Sequence, residues 1–190
     1  DYPRGLKGLR QICEIRLMGG GRQLHREIGE VQFNEKGVSG IPVMQASLVA
    51  GPVLQKKQEL FLSLDFLPEI PLTDLVAALE KQARRCSAMP CERLFTAFLP
   101  KPLWLYALKA SGWSAAKPLP MEHSALQKLA KHMKFARWAV TGLTSPAQVM
   151  RGGADARALY HNLQVKNREN LYVCGEAVDV TGACGGYNLM

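Results

Sequence analysis

The order of strand-like and helix-like stretches predicts an α+β chain. A β-barrel-like domain is interrupted by a helical subdomain and followed by a strand, a glycine-rich loop and the start of a helix. Three observations carry this. Alternating apolar positions dominate up to about residue 66, apolar positions at helical spacing dominate about 71–133, and short apolar runs return after 134. Strands and helices do not alternate along the chain as they would in a doubly wound sheet. The expected divisions are 1–70 and 134–153 for the two parts of the barrel, 71–133 for the helices, and 154–190 for the closing segment.

The first strands are read from residues 12–33. Cys13, Ile15 and Leu17 interleave with Glu14, Arg16 and Met18, which leaves one mostly apolar face. Gly19-Gly20-Gly21 then predicts a tight hairpin turn, because glycine accepts positive φ without steric cost. The chain returns through Gln23–Phe33, and Glu59–Phe66 is a third strand closed by Pro68 and Pro71. In the helical section Thr73 is a candidate N-cap for a helix with Leu75, Val76, Leu79, Ala83 and Cys86 on one stripe. Pro100 and Pro102 precede a helix near Leu103–Ala110 that Gly112 ends. Pro118 and Pro120 precede another, with Leu126, Leu129, Ala130 and Met133 on one face. Strands are expected again at Phe135–Thr141 and Ala147–Met150, and Leu171–Cys174 reads as a short buried strand ahead of Gly175.

Composition narrows the function classes. With 47% hydrophobic and 21% charged residues the chain is of ordinary globular type. Its longest apolar runs, Leu60–Leu64 and Leu103–Leu108, fall well short of the ~20 residues that a membrane-spanning helix needs. The N-terminus has no apolar stretch of the kind that opens a secretory signal. The formal charge of +8 raises the question of nucleic acid. However, Lys and Arg are scattered in pairs such as Lys56-Lys57 and Arg84-Arg85, without aromatic residues interleaved for base stacking, so a solvated basic surface is the better account. The five cysteines, Cys13, Cys86, Cys91, Cys174 and Cys184, are odd in number and contain no C-x-x-C. They read as reduced thiols of a cytoplasmic protein rather than a disulfide scaffold or zinc site. The four histidines form no metal-binding pair.

The segment Leu171–Met190 carries the chemistry. An apolar strand runs into Gly175 and then Glu176, and Gly185-Gly186 follow where a helix starts. A strand end places Glu176 at a sheet edge, where open α/β folds bind ligands, and a carboxylate there suits hydrogen bonds to sugar or ribityl hydroxyls. Gly185-Gly186 allows close approach of the backbone, and a helix beginning near Tyr187 offers free N–H groups to an electron-rich atom such as a flavin carbonyl. The alternative is a strand, loop and helix cap with no ligand.

The residues Gly175, Glu176, Asp179, Gly182, Gly185, Gly186, Tyr187 and Asn188 form a pattern that resembles the "GE-x-x-D-x-x-G-x-x-GGYN" signature of the HI0933-like (BaiN/YhiN-like) NAD(P)/FAD-dependent oxidoreductases. Gly37–Met44, Leu99–Leu103 and Ala147–Ala154 are similar to further segments of that family, in the family's order, although Pro42 sits one place later than in the family's pattern. The resemblance implies a Rossmann-type FAD domain into which a β-barrel and helical insert is placed. It implies that Glu176 contacts the ribityl or pyrophosphate region of FAD. Gly185, Gly186, Tyr187 and Asn188 would line the flavin ring, and Asp179 would bind cofactor or brace the loop. Gly152 and Gly153 are placed near the flavin or in a plain turn, and Ser39 and Gly40 in a structural turn. A nicotinamide dinucleotide is the implied electron partner.

No G-x-G-x-x-G occurs, and there is no initiator Met. The expectation is therefore the insert plus the C-terminal return of a longer flavoprotein. Its partner would be the missing N-terminal FAD domain of the same chain, and the piece alone would be inactive and without bound FAD. No acid, base or nucleophile is singled out, as fits chemistry carried by a cofactor. Two other readings stand beside this one. One is a non-catalytic barrel that binds a protein or nucleic acid through its basic surface, and the other is a substrate lid or docking element.

Overall fold

The computed structural model describes residues 3–144, 152–180 and 182. The chain divides into two compact units, Asp1–Thr141 and Gly142–Met190. The first is a mixed α+β unit of five antiparallel strands, curled into half a barrel, and four helices.

The expected hairpin is present. Strand β1 (Arg10–Gly19) pairs with β2 (Arg22–Phe33) across a two-residue turn, Gly20-Gly21, whose φ angles of 56° and 75° suit the tight antiparallel connection. Leu17 pairs with His25 but Met18 with Gln23, so Leu24 is an extra residue that bulges the strand next to the turn. Strand β3 (Val38–Ser39) pairs with β2, β4 (Leu60–Asp65) with β1, and β5 (Ala136–Ala139) with β4, giving the order β3-β2-β1-β4-β5. The period-2 pattern fixes which side is buried. Cys13, Ile15 and Leu17 of β1, Leu60, Leu62 and Leu64 of β4, and Ala136 and Trp138 of β5 all face the core.

One stretch expected to be β is helical. Helix α1 (Ile41–Gln55) lies between β3 and β4. Pro42 occupies its first turn, where no N–H is needed, and Pro42, Ala46 and Ala50, four residues apart, form its buried stripe. The stripe is made of small side chains because the helix lies close to the sheet: a Cβ on Gly29 of β2 would come within 2.7 Å of the Pro42 ring. Gly40 enters the helix at φ 109°, where a Cβ would sit 2.2 Å from the Glu30 carbonyl oxygen. Its role is the structural turn that the sequence suggests, and Ser39 accepts a hydrogen bond from Asn34 Nδ2 at 2.8 Å.

The helical section follows its apolar periodicity. Helix α2 (Leu72–Arg85) buries Leu75, Val76, Leu79 and Ala83. Its start differs from expectation. Pro71 is the N-cap, and Thr73 lies inside the first turn with its hydroxyl donating to Asp74 Oδ1. Cys86 caps the C-terminal end and is half-buried. Helix α3 (Lys101–Ser111) ends at Gly112 in the left-handed conformation, and α4 (His123–Lys134) buries Leu126, Leu129, Ala130 and Met133. Sheet and helices share one core. At its centre Trp104 is fully buried with Nε1 donating to the Cys91 carbonyl at 2.6 Å. Trp138, which donates to Tyr106 Oη at 3.0 Å, packs against Phe33 and Phe66.

Two buried charges are compensated. Glu14 accepts hydrogen bonds from Arg16 and Arg26, which hold its carboxyl below the usual carboxylate value despite burial. Opposite it across the β1–β4 ladder, Asp65 meets Lys134 Nζ at 2.6 Å, and the same ammonium donates to the carbonyls of Leu67 and Ile70. That single group ties the end of α4 to the turn after β4.

Candidate cofactor-contacting segment

In the second unit the described residues 152–180 are held mainly by backbone hydrogen bonds. Gly152 and Gly153 have φ of 102° and 145° and lead into Ala154, which forms a parallel bridge with Val178. Ala154 N–H donates to the Ala177 carbonyl and Asp179 N–H donates to the Ala154 carbonyl, both at 2.8 Å. The approach is so close that a Cβ on Gly153 would lie 2.5 Å from the Ala177 carbonyl oxygen. Two stretches singled out separately in the sequence, Gly152-Gly153 and Gly175–Asp179, are thus one hydrogen-bonded structure.

Gly175, at φ 61°, opens a single 3-10 turn over Gly175–Ala177, closed by Val178 N–H donating to its carbonyl. Glu176 and Asp179 are exposed, and neither makes an ion pair among the described residues. Beside them Asp155 caps a short turn by accepting from the Arg157 backbone, and it is also gripped by the Arg157 side chain. These contacts pull its carboxyl down to about 2.

Leu171–Cys174 is not a buried strand. Leu171 is 49% exposed and Tyr172 is 57% exposed. The stretch is joined to the rest of the unit by a bridge from Tyr172 to Gln164 and by hydrogen bonds from Val165 to Leu171 and from Val173 to Leu163. An apolar run is buried as a strand only when a sheet flanks it, and here it meets a loop. Ala147–Met150, expected as a strand, lies outside the described residues, as do Gly185, Gly186, Tyr187 and Asn188. The structure therefore brings together Gly152, Gly153, Gly175, Glu176 and Asp179. An exposed carboxylate behind a fixed glycine turn can accept hydrogen bonds from ligand hydroxyls, and among the described residues no cation pairs with it.

The model of the HI0933-like protein barrel and H2TH domain matches residues 5–147, well over half of the chain. The chain belongs to the HI0933-like family. It is also 30% identical over 187 residues to the 3-dehydro-bile acid delta(4,6)-reductase of Clostridium scindens. That alignment covers 96% of this chain and 46% of the relative, so the chain spans about half the length of the curated relative that it matches. The HI0933-like match falls on the strands and helices of the first unit, while the candidate segment lies largely beyond it. Among the described residues no helix is long and apolar enough to cross a membrane, and no group of three or more His, Cys, Asp or Glu could hold a metal.

One feature of the first unit escaped the sequence. A groove that runs from the solvent side of the sheet round the β1–β2 turn is lined by Arg16, Arg22 and Arg137 together with Phe61 and Phe135. The signal was present as alternation, since Arg16, Phe61 and Arg137 all occupy solvent-side positions of their strands. It becomes a cluster only once the register sets Arg16 opposite Ser63 and Ser63 opposite Arg137.

Proposed function

We propose that the chain is part of an FAD-dependent oxidoreductase, with residues 1–70 and 134–153 forming the insert barrel, 71–133 the helical subdomain and 154–190 the return to the FAD domain. The observation that carries this is the GE-x-x-D-x-x-G-x-x-GGYN pattern from Gly175 to Asn188, joined to the hydrogen-bonded seating of Gly152-Gly153 on Ala177–Asp179. The kinship with a reductase supports the reaction class. Substrate identity does not transfer, because pocket side chains decide it and these change readily at 30% identity.

The donor set fits the cofactor. The exposed Glu176 carboxylate suits ribityl or ribose hydroxyls, and the two glycine turns let a flat ring system approach backbone. Bound FAD supplies the hydride chemistry, with a nicotinamide dinucleotide as electron donor. The protein's part is to orient the flavin through Glu176, Gly185, Gly186, Tyr187 and Asn188, with Asp179 bracing the loop. In this reading the remaining cofactor contacts come from an N-terminal FAD domain of the same polypeptide, and the 190-residue chain alone neither retains FAD nor turns over.

The test compares the chain with the longer polypeptide. The longer protein should purify yellow with one FAD, and Glu176→Ala should weaken flavin binding about tenfold, as expected for loss of a hydrogen bond to a charged group. The chain alone should purify colourless. A longer protein that binds no flavin would sink the reading, and stoichiometric flavin on the chain alone would sink the division of the site.

A further inference from the structure

The groove on the solvent side of β1, β4 and β5 is built in a way that a merely solvated sheet face is not. It lies within the first unit and encloses about 1210 Å³, more than the ~300–1,000 Å³ of an ordinary small-molecule pocket, so it has room for an elongated ligand. Its lining holds three guanidinium groups against one carboxylate, Glu59. Two of the three lie over aromatic rings. The Arg137 guanidinium carbon lies 3.9 Å from the centroid of Phe61, and that of Arg16 lies 5.6 Å from the centroid of Phe135. Arg16 is further fixed by Glu14. Arg137 and Arg22 make no ion pair among the described residues.

A guanidinium that rests over a ring has lost part of its rotamer freedom before any ligand arrives, and its planar fork matches the oxygens of a phosphate. The Ser63 hydroxyl lies in the lining between Arg16 and Arg137 in the strand register. Phe135 is 43% exposed, so part of an apolar ring is left open beside the cations. Positive charge without partners, pre-ordered forks and an open aromatic surface are complementary to a ligand with phosphates at one end and a flat ring at the other.

We propose that this groove binds a nucleoside phosphate, with Arg137 and Arg22 taking the phosphates and Phe135 flanking the flat part of the ligand. That the nucleotide is the oxidoreductase's electron-donating dinucleotide rests on the function proposed above; the binding itself does not.

Calorimetry of the 190-residue chain with ADP in low salt tests the binding. The expected result is one saturable site that weakens as salt is raised. Affinity should fall at least about tenfold in Arg22→Ala/Arg137→Ala, in keeping with loss of charge-assisted hydrogen bonds. Lys109→Ala, an exposed cation on α3, should bind as the parent does. Both arginines are exposed, so circular dichroism of the double variant should be unchanged. Absence of ADP binding, an equal loss in Lys109→Ala, or a short single-stranded oligonucleotide binding more tightly than ADP would overturn the proposal. NADPH titrated into the same chain separates the two ideas. NADPH binding that competes with ADP, together with a longer protein that holds no flavin, would refute the oxidoreductase reading and leave the groove's specificity intact. ADP binding with NADPH excluded would refute the groove as the electron-donor site while leaving the oxidoreductase reading intact.

Discussion

In residues 1–141 side chains do the holding: four strands and four helices converge on Trp104, Phe33, Phe66 and Trp138, and the buried charges are each answered by an opposite one. In the described residues 152–180 the main chain does it. Leu159 is the one buried hydrophobic side chain there among the described residues, and the shape comes from bridges such as Ala154–Val178 and from glycines at positive φ. The first arrangement resists local opening because each side chain touches many others, whereas the second opens one bond at a time.

The largest effect that separates the two regions is expected at Lys134. Lys134→Ala leaves Asp65 buried without its charged partner and takes a donor from the Leu67 and Ile70 carbonyls, which should cost the first unit about 3–5 kcal/mol in urea unfolding. A loss below 1 kcal/mol would show that water reaches Asp65 and that the core is looser than described. A matched pair of glycine substitutions comes next. Gly40→Ala forces a methyl against the Glu30 carbonyl and should lower global stability by about 1–3 kcal/mol. Gly153→Ala makes a similar clash with Ala177, yet it should leave the unfolding midpoint of the first unit unmoved and only speed hydrogen exchange at the Ala154 and Asp179 amides. Equal shifts in midpoint from both would erase the distinction between the regions.

The smallest effects concern acid. Because Glu14 titrates below its ordinary value in the fold, its stabilisation is complete above that ordinary value and is lost as pH falls through the depressed one. The gap in urea midpoint between the parent and Glu14→Gln should therefore narrow on acidification; a gap independent of pH contradicts the assignment. Asp155 titrates at about 2 for a similar reason but is exposed. Arg157→Ala should return its NMR titration toward 3.8 with no change in the unfolding of the first unit.

What could be read from the sequence follows the same divide. The β1–β2 hairpin was legible because alternation and three glycines agree, and α2 and α4 because each confines its apolar residues to one stripe. Helix α1 was not. Its apolar residues surround it, it contains Pro52, and its buried stripe is of small residues, so neither period nor propensity marks it. The true start of α2 was obscured because Thr73 has the chemistry of a cap while Pro71 has the geometry. For the candidate site, individual residues were legible from their motif. The seating of Gly153 on Ala177 was not, because they are far apart along the chain and meet through backbone atoms, which leave no pattern in side-chain identity. Leu171–Cys174 misled because apolar character reports an opportunity for burial rather than its occurrence.

The cysteines turn this divide into a clock. Burial, helped by Asp65, pushes the Cys13 thiol up to about 12, and burial pushes Cys91 up to about 11, whereas Cys174 is exposed beside Gly175. Alkylation proceeds through the thiolate, so Cys13 and Cys91 are silent until the sheet and helices part, and their modification rate then counts those openings. Cys174 needs no such event. Mass spectrometry of a single alkylated sample, read at three sulfur atoms, thus times the breathing of the first unit against the accessibility of the loop, without adding a probe to the protein.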